Sequence, residues 1–375
     1  MASGGSASFQ QHFQDLQDPR VERTRRHPLI NVVFIAVCGV LSGANSFAGI
    51  HEFAIDRRSW FARYLDLTNG IPSEDTLGRV LARLDPAAFE KCLMSWIQAV
   101  QEVTEDRIVA IDGKTLRGSS DHERDRAAIH MVSAWAAENQ LSLGQVVVPE
   151  KSNEITAIPE LLQVLDISGA LVTIDAMGCQ REIADQIREG KGDYVLAVKQ
   201  NQPKLYEQVE GAISEALEGE TEELDEHQTV EKGHGRHETR TYAIIAAPES
   251  VNPEGLWRDL SAVGIAISER VDSQGRQSMD TRYYILSRLI TAQEFAGAVR
   301  SHWGIENNLH WQLDVSFRED ECRVGRDHGP ANLSVIRRFA LGLLKRETSC
   351  KKGIEIKRMK CAGNDEYRDK VLFKC

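Results

Sequence analysis

Three acids stand where chemistry could use them. Asp112 closes the apolar run Ile108-Val109-Ala110-Ile111, and Asp175 closes a second one, Ala170-Leu171-Val172-Thr173-Ile174. Glu306 lies in a segment dense in polar and aromatic groups: His302, Trp303, Glu306, Asn307, His310 and Trp311. Carboxylates brought from separate elements suit a hard cation such as Mg²⁺, which takes oxygen ligands and keeps several waters. Two such ions, about 3.5–4 Å apart, stabilise the attacking and leaving oxygens of a phosphodiester displacement. At 100° per residue His302, Glu306 and His310 share one helical face, and a face of two imidazoles and an acid is poor core material. Each acid also has a plainer reading. Asp112-Gly113 would serve as a hairpin turn, Asp175 as a cap on the following helix, Glu306 as an ion-pair partner, and the polar helix face as a subunit interface. The three acids together, in one α/β frame, put the catalytic reading ahead.

The elements that must position them are legible as period and punctuation. Residues 29–41, 47–65 and 86–103 carry apolar residues at three- and four-residue spacing, so the first hundred residues read as helical. Ser73 and Thr76 mark a helix start. From 107 onward short apolar runs replace that spacing, with strands expected at 107–112, 129–137, 141–148, 170–175 and 193–199. Helices are expected at 158–165 and 181–189, giving the order β-β-β-α-β-α-β of a mixed α/β fold. A helix at 203–218 leads into further strands at 239–246, 261–270 and 281–289. Thr291-Ala292-Gln293-Glu294 is a capping box opening a helix that runs to about 308.

The formal charge of −11 is unevenly spread. Between Lys204 and Lys232 lie ten acids and no Lys or Arg, whereas residues 337–375 hold twelve basic and five acidic residues, a net of +7 that leaves −18 for the rest. A basic tail and the basic segment around Arg20, Arg23, Arg25 and Arg26 are thus compatible with a polyanionic partner, or with plain solvated surface. Seven scattered cysteines with no Cys-x-x-Cys pair argue against a disulfide framework and against zinc, and fit a reducing compartment. The longest apolar run, 13 residues at Leu29–Leu41, is too short to span a bilayer, and the first residues lack the pattern of an export signal, so a cytoplasmic location is expected.

Six segments in order carry a resemblance. They are Asp18-Pro19-Arg20 with Arg26-His27, Ile111-Asp112-Gly113-Lys114-Thr115-Leu116-Arg117-Gly118, Asn153-Glu154-Ile155-Thr156-Ala157-Ile158-Pro159, Asp175-Ala176-Met177-Gly178-Cys179-Gln180, Tyr194-Val195-Leu196-Ala197-Val198-Lys199, and His302-Trp303-Gly304-Ile305-Glu306 continuing to Asp320. From about residue 10 to its end the chain resembles bacterial insertion-sequence transposases of the H-repeat-associated type, within the DDE superfamily. The resemblance implies an RNase H-like mixed sheet flanked by helices, with a β-rich insertion and an all-helical N-terminal domain. It implies a helical region at 1–104, the first part of the core at 105–204, the insertion at 205–290, core helices at 291–348 and a basic tail at 349–375. It further implies Asp112, Asp175 and Glu306 as catalytic residues and ligands of two Mg²⁺ ions, with Mn²⁺ able to substitute. The implied partners are DNA, as terminal inverted repeats and target, and a second copy of the chain on that DNA.

Lys114, Arg117, Lys199, Arg300, His302, Asn307 and His310 are the expected DNA contacts. The tyrosine, arginine and lysine that accompany the helix glutamate in many relatives are replaced here by Val299, His302 and Leu313. Asp314, Glu319 and Asp320 are rivals for the third acid. Three other functions are weighed against transposition: a DNA-binding remnant without catalysis, an RNase H-like nuclease without strand transfer, and a metal-independent carboxylate hydrolase such as a glycosidase.

Overall fold

The computed structural model describes residues 9–100, 108–119, 128–148, 153–219, 224–233 and 236–373. The expected boundary at 104/105 and the acids Glu220, Glu222 and Glu223 lie outside these residues. The first helices are α1 (Leu29–Leu41), α2 (Phe47–Asp56), α3 (Arg58–Phe61), α4 (Glu74–Leu81) and α5 (Pro86–Val100). α1 is buried from Asn31 to Leu41, as a helix apolar all round must be, and its one amide is satisfied by donating to the Asp66 carbonyl at 2.6 Å. Ser73 caps α4 by accepting the Thr76 N–H, as its position predicts.

One nine-stranded sheet follows, in the order β3-β2-β1-β4-β5-β9-β8-β7-β6. β1 (Ile108–Leu116), β2 (Ile129–Ala136) and β3 (Leu141–Val148) form an antiparallel meander. After α6 (Glu154–Val164), β4 (Leu171–Ile174) lies parallel to β1, and after α7 (Arg181–Glu189), β5 (Asp193–Val198) lies parallel to β4. These parallel strands read as continuous apolar runs because both of their faces are covered. Three antiparallel strands followed by two parallel ones make the RNase H-like mixed sheet that the resemblance implies.

The β-rich stretch continues this sheet. After α8 (Pro203–Leu217) come β6 (Asp225–Gly233), β7 (Arg236–Ala246), β8 (Ala262–Val271) and β9 (Gln277–Leu286), and β9 pairs antiparallel with β5, Val195 opposite Leu286. β6 has no counterpart among the expected strands, since its acids obscure any alternation. Two of those acids brace α9 (Ala292–Ile305), which opens on the expected Thr291–Glu294 capping box. Asp225 accepts the Ala292 N–H at 2.7 Å, and Glu231 pairs with Arg300 at 2.7 Å.

Helices α6, α7 and α8 cover one face of the sheet over Ile111, Val172, Ile174 and Leu196, and α9 covers the other over Val195, Tyr242 and Tyr284. A third core joins the first five helices to the chain that follows α9. It comprises α10 (Trp311–Phe317), α11 (Gly329–Arg346), α12 (Ile354–Gly363) and α13 (Asp365–Phe373). The N-terminal helices therefore share a core with the C-terminal ones.

The basic stretch at 349–375, for which charge left a polyanionic partner and a solvated surface both open, folds into α12 and α13. Lys357, Arg358 and Arg368 are buried because carbonyls and rings satisfy them. Lys357 donates to the Leu344 carbonyl at 2.7 Å, Arg358 to the Val40 carbonyl at 2.8 Å, and the Arg368 guanidinium lies 4.1 Å from the Trp60 ring centroid. Unpaired carbonyls at a helix C-terminus are natural acceptors for such cations. Trp60 in turn donates to Asp369 at 2.8 Å.

Removing residues 349–375 is expected to abolish the cooperative unfolding transition of the whole protein, since it strips the cover from Phe34 and Trp60. Thermal melts followed by circular dichroism check this; a melting temperature within a few degrees of the full chain would show the last two helices to be dispensable.

Candidate active site

Register places the first two acids side by side. The parallel pairing of β1 and β4 ends at Ile111 opposite Ile174, and the next residue on each chain is Asp112 or Asp175. Asp112 does not end its strand, which corrects the expectation of a turn at Asp112-Gly113. β1 continues to Leu116 because β2 goes on pairing with it, Asp112 opposite Ser133 and Lys114 opposite Met131. The glycine is required for another reason: a Cβ at Gly113 would lie 2.0 Å from Glu154 Oε1 and 2.8 Å from His130 Nε2. His130 and Glu154 meet at 2.6 Å against that bare α-carbon, and Thr115 Oγ lies 2.8 Å from His130 Nδ1. Asp175 does serve as a cap, its Oδ1 accepting the N–H groups of Met177 at 3.0 Å and Gly178 at 3.3 Å.

The third acid lies in a wide turn. Residues Glu306–His310 are π-helical between α9 and α10, with the Trp311 N–H donating five residues back to the Glu306 carbonyl. Such turns interrupt α-helices most often where a side chain must be re-aimed. Here His310 Nδ1 comes to 3.5 Å from Asp112 Oδ2 and 3.8 Å from Glu306 Oε2, and ligand atoms of the three residues all lie within 4.8 Å of one another. Asp175 stands outside that group, yet its charge acts on Asp112 and on His302.

Burial, with the negative charges of Glu306, Asp175 and Glu154 beside it, pushes the Asp112 carboxyl up to about 7. Glu306 is exposed, and His310 beside it holds its carboxyl below the ordinary range. Burial pulls both His302 and His310 down, which keeps them neutral. A neutral imidazole and crowded carboxylates form a donor set that a divalent cation fits, because the cation would relieve the repulsion that raises Asp112.

The expected DNA contacts divide. Lys114 is buried and paired, at 2.5 Å with Asp314 and 3.1 Å with Glu319, so it is corrected from a phosphate contact to a structural cation. Arg300 pairs with Glu231 at 2.7 Å on the surface. His302 is turned toward the sheet, Nδ1 3.4 Å from Thr173 Oγ, and buried His310 faces the acids. Arg117, Lys199 and Asn307 are exposed, with Arg117 3.8 Å from Asp320. Of the rival acids, Asp314 is engaged by Lys114. Glu319 is 1% exposed and faces Lys114, Arg337 and Arg338, whose charges overcome burial and hold it at about 2. Sequence reasoning missed Glu154 and His130 near Asp112. Glu154 stood in a recognised segment, but nothing in its spacing tied it to Gly113.

Against this geometry the comparisons are decisive. The family described as "Transposase DDE domain" matches residues 104–341, and that described as "DDE_Tnp_1-associated" matches residues 10–97. The chain belongs to the DDE transposase family. It is 42% identical over 371 residues to "Putative transposase YncI" of Escherichia coli O157:H7, covering 98% of this chain and 95% of that one. It is 38% identical over 366 residues to "H repeat-associated putative transposase YhhI" of Escherichia coli K12, covering 96% and 97%. Among solved structures, a piggyBac transposase in a synaptic complex with hairpin DNA aligns over 97% of this chain and 76% of its own, at TM-score 0.41 and 10% identity. Divalent-metal chemistry on DNA is what membership of this transposase family implies. No helix among the described residues is long and apolar enough to cross a membrane.

Two stability measurements follow. A carboxyl raised in the folded state confers stability below its unfolded value near 4 that is lost as pH rises through about 7. Metal-free Asp112→Asn should therefore be more stable than wild type at pH 8, by roughly 2–4 kcal/mol, and indistinguishable from it near pH 4. Denaturant melts in chelator check this, and equal stability at pH 8 would contradict the crowded site. Glu319→Gln leaves three buried cations short of charge and should cost about 3–5 kcal/mol in the same assay; a loss below 1 kcal/mol would show that the cluster is not stabilising.

Proposed function

We propose that the protein is an active DDE transposase that cleaves DNA strands at the ends of an insertion sequence and transfers them to a target, using Asp112, Asp175 and Glu306. The observation that carries this reading is the grouping of the half-buried Asp112 with Glu306 and His310, ligand atoms of all three within 4.8 Å of one another, with the Asp112 carboxyl pushed up to about 7. Such a site has a surplus of negative charge that a bound cation would balance. Two Mg²⁺ ions, or Mn²⁺ in their place, would supply charge for the attacking and leaving oxygens of the phosphodiester. Asp112, Asp175 and Glu306 are the residues that would hold these ions. Asp175 is oriented by its cap bonds, both of which go to one oxygen, Oδ1. Glu306 is the exposed member and would meet the DNA end first.

Lys199, Arg117 and Asn307, exposed on the described surface, are the side chains we assign to phosphate contact. Joining two ends calls for two active sites, so a homodimer on DNA is part of the proposal, as are terminal inverted repeats as the bound sequence and the bacterial cytoplasm as the place of action.

The test uses purified full-length protein and linear DNA carrying the ends that flank its gene, with Mg²⁺, Mn²⁺ or chelator. Metal-dependent cleavage and joining to a plasmid are expected, falling by about 100-fold or more in Asp175→Asn with the fold retained. End binding without cleavage would mean a regulatory remnant, cleavage without joining a nuclease, and metal-independent hydrolysis would remove the DDE reading. Separately, Lys199→Ala should weaken end binding and reduce the slope of log affinity against log salt by about 1; an unchanged slope in filter-binding titrations would remove Lys199 from the contact set.

A further inference from the structure

We infer that His310 Nδ1 is itself a metal ligand, so that the ion beside Asp112 and Glu306 is held by two carboxylates and an imidazole, a set that favours Mn²⁺ over Mg²⁺. This rests on the proposed divalent-metal site and adds to it a nitrogen donor that the three acids do not supply.

His310 is held in an unusual state. Its side chain is only 7% exposed, yet Nδ1 lies 3.5 Å from Asp112 Oδ2 and 3.8 Å from Glu306 Oε2, beyond ordinary hydrogen-bond length. Nε2 is buried with no hydrogen-bond partner among the described residues. A buried imidazole with neither nitrogen well bonded is costly as a purely structural element. The spacing is instead that of atoms sharing an ion: donors at about 2.1–2.2 Å from one centre stand roughly 3–4 Å apart. The wide turn at Glu306–His310 is what brings an exposed acid and a buried imidazole to the same point.

The donor set then decides the metal. Mg²⁺ is hard, demands near-ideal octahedral oxygen geometry and gains little from imidazole, whereas divalent transition ions accept nitrogen readily. Asp175 lies outside the group within 4.8 Å.

The experiment is pulsed electron paramagnetic resonance of the full-length protein loaded with Mn²⁺, read for coupling to a directly bound nitrogen. Competition of Mg²⁺ against Mn²⁺ and the cleavage assay run beside it. The wild type should show the coupling and bind Mn²⁺ at least ten-fold more tightly than Mg²⁺. His310→Gln should lose both the coupling and about ten-fold in Mn²⁺ affinity, with Mg²⁺ affinity changed less than three-fold. Bound Mn²⁺ without nitrogen coupling in the wild type, or coupling that survives in folded His310→Gln, overturns the inference. If His310→Gln does not fold, His302→Gln decides: retained coupling supports His310, and lost coupling moves the ligand to His302 and overturns it. Mg²⁺-dependent cleavage with no nitrogen coupling would sink this inference alone and leave the transposase reading standing. No metal binding and no cleavage would sink both.

Discussion

The site depends on a match between two repeats laid side by side. Two residues along a strand advance about 6.6 Å, and four along a helix about 6 Å. On β1, Asp112 and Lys114 point to the same face, because alternate strand residues do. In the helical segment opposite, His310 and Asp314 are four apart. Asp112 faces His310 at 3.5 Å and Lys114 meets Asp314 at 2.5 Å, so strand and helix stay in step over both contacts. Beyond them Glu319 accepts from Lys114 and faces Arg337 and Arg338 of α11, which anchors the lower contact in the core.

The two contacts differ in sign. Lys114 with Asp314 and Glu319 is an attractive cluster, complete in the protein alone, and Ser334 gives Glu319 a further hydrogen bond at 2.9 Å. Asp112 sits beside the negative charges of Glu306, Asp175 and Glu154, and burial first, with that repulsion added, lifts its carboxyl to about 7. The first ties β1 to the helical segment that carries Glu306, so that acid stays beside Asp112. A preorganised site of this kind keeps its crowded charges for a ligand, and folding stability elsewhere offsets the strain.

Much of this was legible in the residues. Apolar runs ending in Asp112 and Asp175 located two strands of one sheet, since a strand covered on both faces is apolar without alternation. The Thr291 capping box located the start of the helix bearing Glu306. What could not be read was whatever depends on partners remote in sequence. Asp112-Gly113 looked like a turn because the local signal for a turn and for a close approach is the same glycine, and Glu154 is 41 residues further on. That Lys114 meets a buried acid could not be read, because charge alone does not reveal Glu319 opposite. The burial of the C-terminal cations could not be read because the carbonyls and rings that receive them, at Val40 and Trp60, lie some 300 residues earlier. The wide turn at Glu306–His310 leaves no trace in periodicity, as one extra residue in a turn is within its scatter.

The four strands added after β5 have a mechanical consequence. β6 lies at the outer limit of the sheet, yet it touches α9 twice, by Asp225 at the first turn and by Glu231 at Arg300. α9 thus spans, like a beam on two supports, from the far strand of the added sheet to the wide turn over β1, about 20 Å for its 14 residues. The acids that make this stretch look like a mere solubilising block include the fastenings of one support. A load placed on β6 would reach Glu306 as a tilt of that beam, without any contact between the two.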